Sequence, residues 1–409
     1  MISIAGTRMQ SAAVLWQVHE INRQPLALGG VGLANIFPVI ILSLLAGAAA
    51  DAFNRRRLIL LTQTSLALLA LTLGLLTLRG LTPLWVVYLI TAMSAAVGTF
   101  DLPARQALVP NLLPRELLTN AFSLNSIAFH VGSVVGPTLG GLVIARWGVG
   151  AAYVINAVSY LAVIGALLLI GPVPQERALP AEGDGPAWSP RAIATSVTEG
   201  MRFVVGRPVI FSSMLLDFFA TFFSSAAALL PIFARSILQV GAVGYGWLVA
   251  APSLGSAAVA LVLSLRGTLR RQGRVLFLAV TAFGFATIVF GVSHSFWLTF
   301  AALAATGGTD TVSTVIRNTL RQLQTPDRLR GRMTSVSQLF FMGGPQLGEF
   351  EAGLVAQIFG PAVSVVTGGV GCLLATAWVA RRFPQLLHYD GSEATLAADT
   401  VPATQASSD

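Results

Sequence analysis

Long apolar runs separated by short polar breaks fill most of this sequence. Most runs are near 20 residues, the length at which an α-helix crosses the ~30 Å hydrocarbon core of a bilayer. Transmembrane strands would instead alternate apolar and polar residues over about ten positions. The runs predict helices at residues 2–18, 28–50, 57–78, 83–106, 117–145, 150–171, 208–234, 241–266, 273–292, 296–318, 331–357 and 361–381.

The longest polar interval divides six predicted helices from six. It contains Pro, Gly and acidic residues, followed by an amphipathic stretch at 197–205 that is typical of a membrane-surface segment. The first helix is short for a span, and no basic segment precedes it, so we expect that the chain starts inside a truncated helix 1. The predicted units are an N-terminal six-helix bundle (1–171), a cytoplasmic linker (172–207), a C-terminal six-helix bundle (208–383) and a disordered cytoplasmic tail (384–409).

The composition agrees with an integral membrane protein of the helical class. Hydrophobic residues make up 55% of the chain and charged residues only 10%, whereas a soluble domain carries about 25% charged residues. Cys372 is the single cysteine, so the chain can form no internal disulfide and no cysteine-based metal site. We predict neither a metal nor a cofactor.

The distribution of positive charge predicts how the helices are oriented. The net charge is +8, which could indicate a nucleic-acid-binding surface, but the arginines fall in short clusters between apolar runs. The loops after helices 2, 4, 6, 8 and 10, together with the tail, hold 20 arginines, Arg317 among them, and the opposite loops hold four. Positive charge favours the cytoplasmic side, so both termini are predicted to lie in the cytoplasm and no nucleic-acid partner is expected.

A near-identical pentapeptide occurs in both halves of the chain. Gly136-Pro137-Thr138-Leu139-Gly140 returns 208 residues later as Gly344-Pro345-Gln346-Leu347-Gly348. Because each half has an even number of helices, the pair predicts two parallel six-helix repeats. The glycines allow close helix contact and each proline should bend its helix. The copies differ in the next residue, which is Gly141 in the first and Glu349 in the second.

The end of predicted helix 2 resembles the helix 2–3 loop of the major facilitator superfamily, Gly-x-x-x-Asp-(Arg/Lys)-x-Gly-Arg-(Arg/Lys). The matching residues are Gly47, Asp51, Arg55 and Arg56, and the departures are Ala52 and Asn54. Asn can adopt the left-handed conformation that Gly would supply. The resemblance implies a gate that locks the cytoplasmic face, with Asp51 paired to Arg105 and Arg55 paired to Asp101. An ordinary positive-inside loop is the alternative.

Other stretches resemble particular branches of this superfamily. Gly136-Pro137-x-x-Gly140-Gly141 is similar to a motif of its proton-coupled exporters, although helix packing alone would also explain it. Three further stretches resemble the enterobactin-exporter-like branch. They are Asp101-x-x-x-Arg105, Gly200-Met201-Arg202-Phe203 and Gln322-x-Gln324-Thr325-Pro326. The resemblance implies alternating access and export of a siderophore or a drug-like compound.

Ionisable and polar residues inside the predicted helices are candidates for proton coupling or for the substrate cavity, because they are costly in a membrane. They are Arg8, Gln10, Asp217, Asp310 and Glu349. A salt bridge is the alternative for Asp310, and a structural pair with Arg8 is the alternative for Asp217. His130 and Glu351 are weaker candidates.

The remaining patterns narrow the class of substrate. Aromatic walls fit a large, partly apolar compound, although lipid-facing packing would also explain them; the residues are Phe218, Phe219, Phe222, Phe223, Phe340 and Phe341. Common hydrolase and nucleotide-loop motifs do not occur in the sequence, so we do not predict an enzyme. The prediction is a monomeric, proton-coupled exporter of amphipathic small molecules in the inner membrane. A lipid or metabolite transporter on the same fold is the alternative.

Overall fold

The computed structural model describes residues 1–170, 190–266, 270–326 and 329–391, and these residues are almost entirely helical, with no strand among them. A linker helix, Pro190–Val205, and a short helix, Pro384–Leu387, flank the second half. The long helices are α1 (Ile2–Ile21), α2 (Pro25–Ala52), α3 (Arg55–Leu78), α4 (Leu84–Leu112), α5 (Leu118–Trp147), α6 (Val149–Ile170), α7 (Pro208–Phe223), α8 (Gly241–Arg266), α9 (Gln272–Val292), α10 (Phe296–Gln324), α11 (Arg330–Phe359) and α12 (Pro361–Arg382). The all-helical prediction is therefore confirmed for the described residues.

One predicted helix is interrupted. The apolar run at 208–234 predicts a continuous helix, but α7 ends at Phe223 and the chain continues through a 3₁₀ turn, Ala226–Leu229, and a π-helical turn, Phe233–Ile237. Pro231 has no N–H group to donate within a helix, and its ring crowds the preceding turn. The polar Ser224 and Ser225 supply the break.

Nine helices in the described part of the chain are long and apolar enough to cross a membrane. They are α2 to α6, α7 with its continuation to Ile237, α8, α9 and α12. The helices α1, α10 and α11 do not reach this threshold. Each of these three carries ionisable residues, such as Arg8, Asp310 and Glu349, so the described residues contain nine clearly apolar helices and three that are more polar.

Helix packing in the second half repeats that in the first half. In the first half, α1 packs on α5 and α6, α2 packs on α4, and α3 packs on α4 and α6. Six helices later, α7 packs on α11 and α12, α8 packs on α10, and α9 packs on α10 and α12. The main contacts between the halves are α2 with α11 and α5 with α8, which also correspond to each other.

The repeated pentapeptide forms the same contact in both halves. The closeness of the helices is seen from where a Cβ atom would lie if each glycine were replaced by a larger residue. A Cβ added to Gly136 would overlap the carbonyl oxygen of Ala5 in α1, and one added to Gly344 would overlap Thr221 Oγ1 in α7. One turn later, a Cβ on Gly140 would lie 3.0 Å from Met9 Cγ in α1. Each copy therefore brings its own helix against the first helix of the same half, as small residues allow in membrane bundles.

A valine at Gly348 is expected to destabilise the bundle by about 1–3 kcal/mol, because the added side chain would overlap the backbone of Phe222, which cannot move independently. Gly165→Val is the matched control, since a Cβ there meets no atom within 4 Å. Thermal unfolding of the purified proteins in detergent measures the difference. Equal midpoints for the two variants would contradict this interpretation of the motif.

The start of the tail departs from its predicted description. Residues 384–391 are packed: Leu386 and Tyr389 are buried, and the Gly273 N–H group donates to the Tyr389 carbonyl oxygen at 2.8 Å. The prediction of disorder from residue 384 onward is therefore wrong for these eight residues, because they carry apolar side chains that join the core. Residues 392–409 and 171–189 lie outside the described part. Val204, in the predicted amphipathic stretch, is buried in the same core cluster as Leu386.

Candidate functional site

Two pairs of glycines join the halves at one end of the bundle. A Cβ on Gly353 in α11 would lie 2.9 Å from the Cα atom of Gly29 in α2. A Cβ on Gly246 in α8 would lie 3.0 Å from the Cα atom of Gly141 in α5. We call these four residues the glycine seam and this end of the bundle the closed end. Backbones this close leave no passage between the halves there.

Contacts from α1 also tie the halves together at the closed end. The Tyr245 hydroxyl of α8 donates to the Ala12 carbonyl oxygen at 2.9 Å, and its ring centre lies 5.1 Å from that of Trp16. One turn further along, Glu20 Oε1 lies 3.9 Å from Arg235 Nη1. The face of α1 that contains Ala12, Trp16 and Glu20 therefore contacts the second half.

The opposite end of the bundle is open. Every side chain from 122 to 127 near the start of α5 is exposed, and so is Phe129. Six consecutive residues of a helix point in all directions around its axis, so no helix in the described part of the chain covers this segment. The main contacts between the halves include the glycine seam, and we interpret the uncovered start of α5 as one wall of a central cleft between the halves.

The C-terminal half carries a buried charge cluster. Arg317 is only 2% exposed and forms an ion pair with the buried Asp217 of α7. Arg317 Nη2 lies 3.6 Å from Asp310 Oδ1, two turns earlier in α10, and donates to Thr314 Oγ1 at 2.9 Å. The Asp310 side chain is 45% exposed. One buried cation thus holds two carboxylates, of which one is buried and the other is accessible.

This cluster changes two interpretations of the sequence. Asp217 is paired with Arg317 rather than with Arg8. The assignment of Arg317 to a cytoplasmic loop is wrong, because α10 continues to Gln324 and places Arg317 inside the helix. The spacing of seven residues between Asp310 and Arg317 is a signal that could have identified the pair, since residues two turns apart share a helix face.

Glu349 lies where the two halves meet. A Cβ atom added to Gly32 in α2 would lie 3.2 Å from Glu349 Oε2. One added to Gly29 would lie 3.0 Å from the carbonyl oxygen of Glu349. Within the described residues, the carboxylate of Glu349 has no hydrogen bond or ion pair. Gly141, which follows the first pentapeptide copy, meets α8 in the same way. The two copies therefore place a glycine and a glutamate at corresponding junctions.

The remaining cavity candidates on α1 face different neighbours. Gln10 Oε1 accepts a hydrogen bond from Asn156 Nδ2 at 2.6 Å, so Gln10 joins α1 to α6. The guanidinium carbon of Arg8 lies 4.9 Å from the centre of the Phe129 ring in α5. His130 is half-buried and contacts the Phe129 ring edge-on, with centres 5.9 Å apart. Arg8 and Gln10 thus do not share a site.

The segment that resembles the helix 2–3 gate contains an internal charge network. Asp101 pairs with Arg105 in the same helix and accepts hydrogen bonds from Thr62 Oγ1 at 2.7 Å and Gln63 Nε2 at 2.9 Å. Both bonds join α4 to α3. The side chain of Asp51 lies outside the described residues, so its predicted pair with Arg105 stays a prediction.

The loop between α2 and α3 is held by helix capping and by carbonyl contacts. Arg55 Nη1 donates to the Ala107 carbonyl oxygen at 3.0 Å, and Arg56 Nε donates to the Leu167 carbonyl oxygen at 2.9 Å. Asn54 caps α3 by accepting from the Arg57 N–H group at 3.0 Å, with φ −63°. A left-handed Asn54 is therefore not needed, because the position serves as an N-cap, for which Asn is well suited.

The phenylalanines of α7 and α11 form one ring cluster. The Phe218 ring centre lies 5.8 Å from those of Phe219 and Phe222 and 6.0 Å from that of Phe340. Phe223 stacks on Phe219 at 6.1 Å, while Phe341 is largely exposed. Most of these rings therefore pack against one another between two helices.

A bundle of long apolar helices that carries ionisable groups in its interior is the architecture of a multi-pass membrane protein. The fold is similar over 95% of this chain to a bacterial homologue of the human lysosomal transporter Spinster, with a TM-score of 0.71, 15% identity and 96% of that chain covered. A POT family transporter in complex with 5-aminolevulinic acid gives a TM-score of 0.72 at 12% identity, covering 94% of this chain and 95% of that chain.

The sequence identifies the family. Residues 1–403 match the profile of the transmembrane secretion effectors, and the chain belongs to this family of the major facilitator superfamily. The enterobactin exporter EntS of Escherichia coli (strain K12) is 27% identical over 347 residues, which are 85% of this chain and 80% of that exporter. The predicted superfamily is thus confirmed, and the chain is a multi-pass membrane transporter.

Proposed function

We propose that this protein is a secondary active exporter in which two six-helix bundles alternate access to a central site. The bundles comprise residues 1–171 and 208–383, so that α1, α10 and α11 also span the membrane with their polar groups turned toward the cleft. The recurrence of each helix pair six helices later supports two parallel repeats. The protein acts as a monomer without a cofactor or catalytic activity.

Both termini lie on the cytoplasmic side of the inner membrane. The arginine-rich loops, such as the one at Arg55 and Arg56, adjoin the helix ends farthest from the glycine seam. Positive charge favours the cytoplasmic side, so the open end faces the cytoplasm and the conformation is inward-facing. The cleft can therefore take up its substrate from inside the cell.

The substrate is an amphipathic small molecule, either a siderophore or a drug-like compound. The relationship to proteins named as enterobactin exporters supports a siderophore. The apolar side chains of α5 that reach the open end, such as Phe122 and Phe129, support a ligand with a large apolar part. Uptake by such a cleft needs no covalent chemistry from the protein.

Protons drive export, and the position of Glu349 carries this proposal. Its carboxylate faces α2 at the contact that must separate when the closed end opens. An ionised carboxylate is costly in a contact of low polarity and a protonated one is not, so proton binding is linked to the closure of this contact. Asp310, which is accessible beside Arg317, is the second group that can exchange a proton with the cleft.

Transport into inverted membrane vesicles with an imposed pH gradient tests this proposal. We expect wild-type protein to accumulate a siderophore or a cationic dye, and we expect Glu349→Gln and Asp310→Asn to abolish the gradient-driven part. Glu351→Gln is the matched control, since it removes a carboxylate from the same helix on a different face. Normal gradient-driven uptake by both test variants would refute these proton sites.

A further inference from the structure

Arg8 belongs to the face of α1 that points between the two halves. Each step of four residues turns by only about 40° around a helix, so Arg8 adjoins the strip of α1 that continues through Ala12, Trp16 and Glu20. The last three contact Tyr245 and Arg235 of the second half. Arg8 lies one turn further from the closed end, where these contacts have stopped, and its side chain is exposed. Arg8 therefore lies at the central cleft, between the closed end and the exposed start of α5.

The charge of Arg8 has no counter-ion in the described residues. Among the residues that the structure describes, no carboxylate lies within ion-pair distance of Arg8, whereas the equally intramembrane Arg317 has both Asp217 and Asp310. The interaction that Arg8 does make is with the face of the Phe129 ring, at 4.9 Å. A guanidinium placed on a ring keeps its N–H groups free at the rim. An uncompensated cation at this depth is costly unless something anionic reaches it.

The backbone holds Arg8 in this place. A Cβ on Gly136 would lie 2.8 Å from Arg8 Cβ, so α1 and α5 approach most closely beside this residue. Gly132 packs in the same way, since its Cβ would lie 2.7 Å from Ile4 Cγ2. Phe129 precedes Gly132 by about one turn and Gly136 by about two, and it is 45% exposed. The guanidinium and an accessible aromatic surface thus lie side by side.

We propose that Arg8 and Phe129 form an anion-binding subsite, which selects substrates that carry a carboxylate or a similar planar anion on an aromatic body. The anion accepts two parallel N–H bonds from the guanidinium, and the aromatic body packs against the exposed part of Phe129. The proposal rests on the transport function above, because it identifies the chemistry of the substrate that the cleft receives.

Equilibrium binding to the purified protein in detergent tests the subsite with two fluorescent probes of nearly equal shape. Anthracene-9-carboxylate carries the anion, and anthracene-9-carboxamide carries none. We expect wild-type protein to bind the carboxylate more tightly. Arg8→Gln should weaken the binding of the carboxylate probe by about tenfold or more, because a charge-assisted bond is lost. The same variant should change the binding of the amide probe less than twofold. Arg8→Lys should retain part of the preference, since it keeps the charge without the planar fork.

Arg382→Gln is the matched control. Arg382 also lies over a phenyl ring, that of Phe383 at 5.6 Å, but at the end of α12. This variant should bind both probes as the wild type does. Three results would each overturn the subsite. Arg8→Gln could bind the carboxylate as the wild type does, it could lose the binding of both probes equally, or the wild type could show no preference between the probes. An Arg8-dependent preference without any vesicle transport would refute the exporter and leave the subsite standing.

Discussion

Replacement of Arg317 with glutamine is expected to destabilise the C-terminal half by about 3–5 kcal/mol, enough to prevent the accumulation of folded protein. The substitution leaves the buried carboxylate of Asp217 without its ion pair, in a place where water cannot replace it. The amount of monodisperse protein extracted from membranes, together with its thermal unfolding midpoint, measures the effect.

Two further variants separate this effect from the simple loss of an arginine. Arg321→Gln removes a cation from the same helix one turn later, where the side chain is only half-buried and bonded to Asn318, so a small change is expected. The double variant Asp217→Asn with Arg317→Gln removes both charges and should recover most of the folded protein. A double variant as unstable as Arg317→Gln alone would show that the ion pair is not the cause.

Replacement of Gly246 with leucine is expected to favour the conformation in which the glycine seam has separated. The added side chain would overlap the Pro137 carbonyl oxygen and the backbone of Gly141 across the halves. Overpacking costs about 1–3 kcal/mol, and here the cost falls only on the state in which the seam is closed. The population of that state should fall by about 5- to 150-fold relative to the open one, and substrate transport should fall with it.

The rate of maleimide modification at a cysteine in place of Ala12 reports on the closed end, in protein whose native Cys372 is replaced by serine. Ala12 is buried beside Tyr245, so modification should be slow in the parent protein and faster when Gly246→Leu is added. Gly165→Leu is the control, because it adds the same side chain where space is free. Equal rates in all three proteins would contradict a role of the seam in closure.

Much of the architecture could be predicted because many apolar runs in this chain are bounded by glycine, proline or arginine residues that mark the ends of helices. Helix α8 occupies Gly241–Arg266 as predicted, with a glycine at its start and an arginine at its end. Both copies of the pentapeptide lie where α5 or α11 approaches the first helix of its half closely, which small residues in the sequence predict. These features depend on local sequence and on the membrane, so they can be recognised without knowledge of the tertiary structure.

The partners of the charged residues could not be predicted in the same way. Asp217 and Arg317 are far apart in sequence and meet only because α7 packs near α10. The polar end of α10 resembles a loop in composition, which concealed Arg317. Similarly, the contact of Glu349 with Gly32 depends on how the halves meet, and no pattern within either helix specifies that arrangement.

We expect the different residues after the two pentapeptides to give the halves unequal parts in the transport cycle. The α5–α8 contact has only glycine and backbone at its centre, so its strength should not depend on pH. The α2–α11 contact includes Glu349 and should weaken when that residue ionises. We therefore expect the two contacts to separate in a fixed order, α2–α11 first and α5–α8 last. The α2–α11 contact would then start the opening, while the α5–α8 contact would hold the halves together longest. The side chain of Glu349, present in only one of these duplicated contacts, would determine this order.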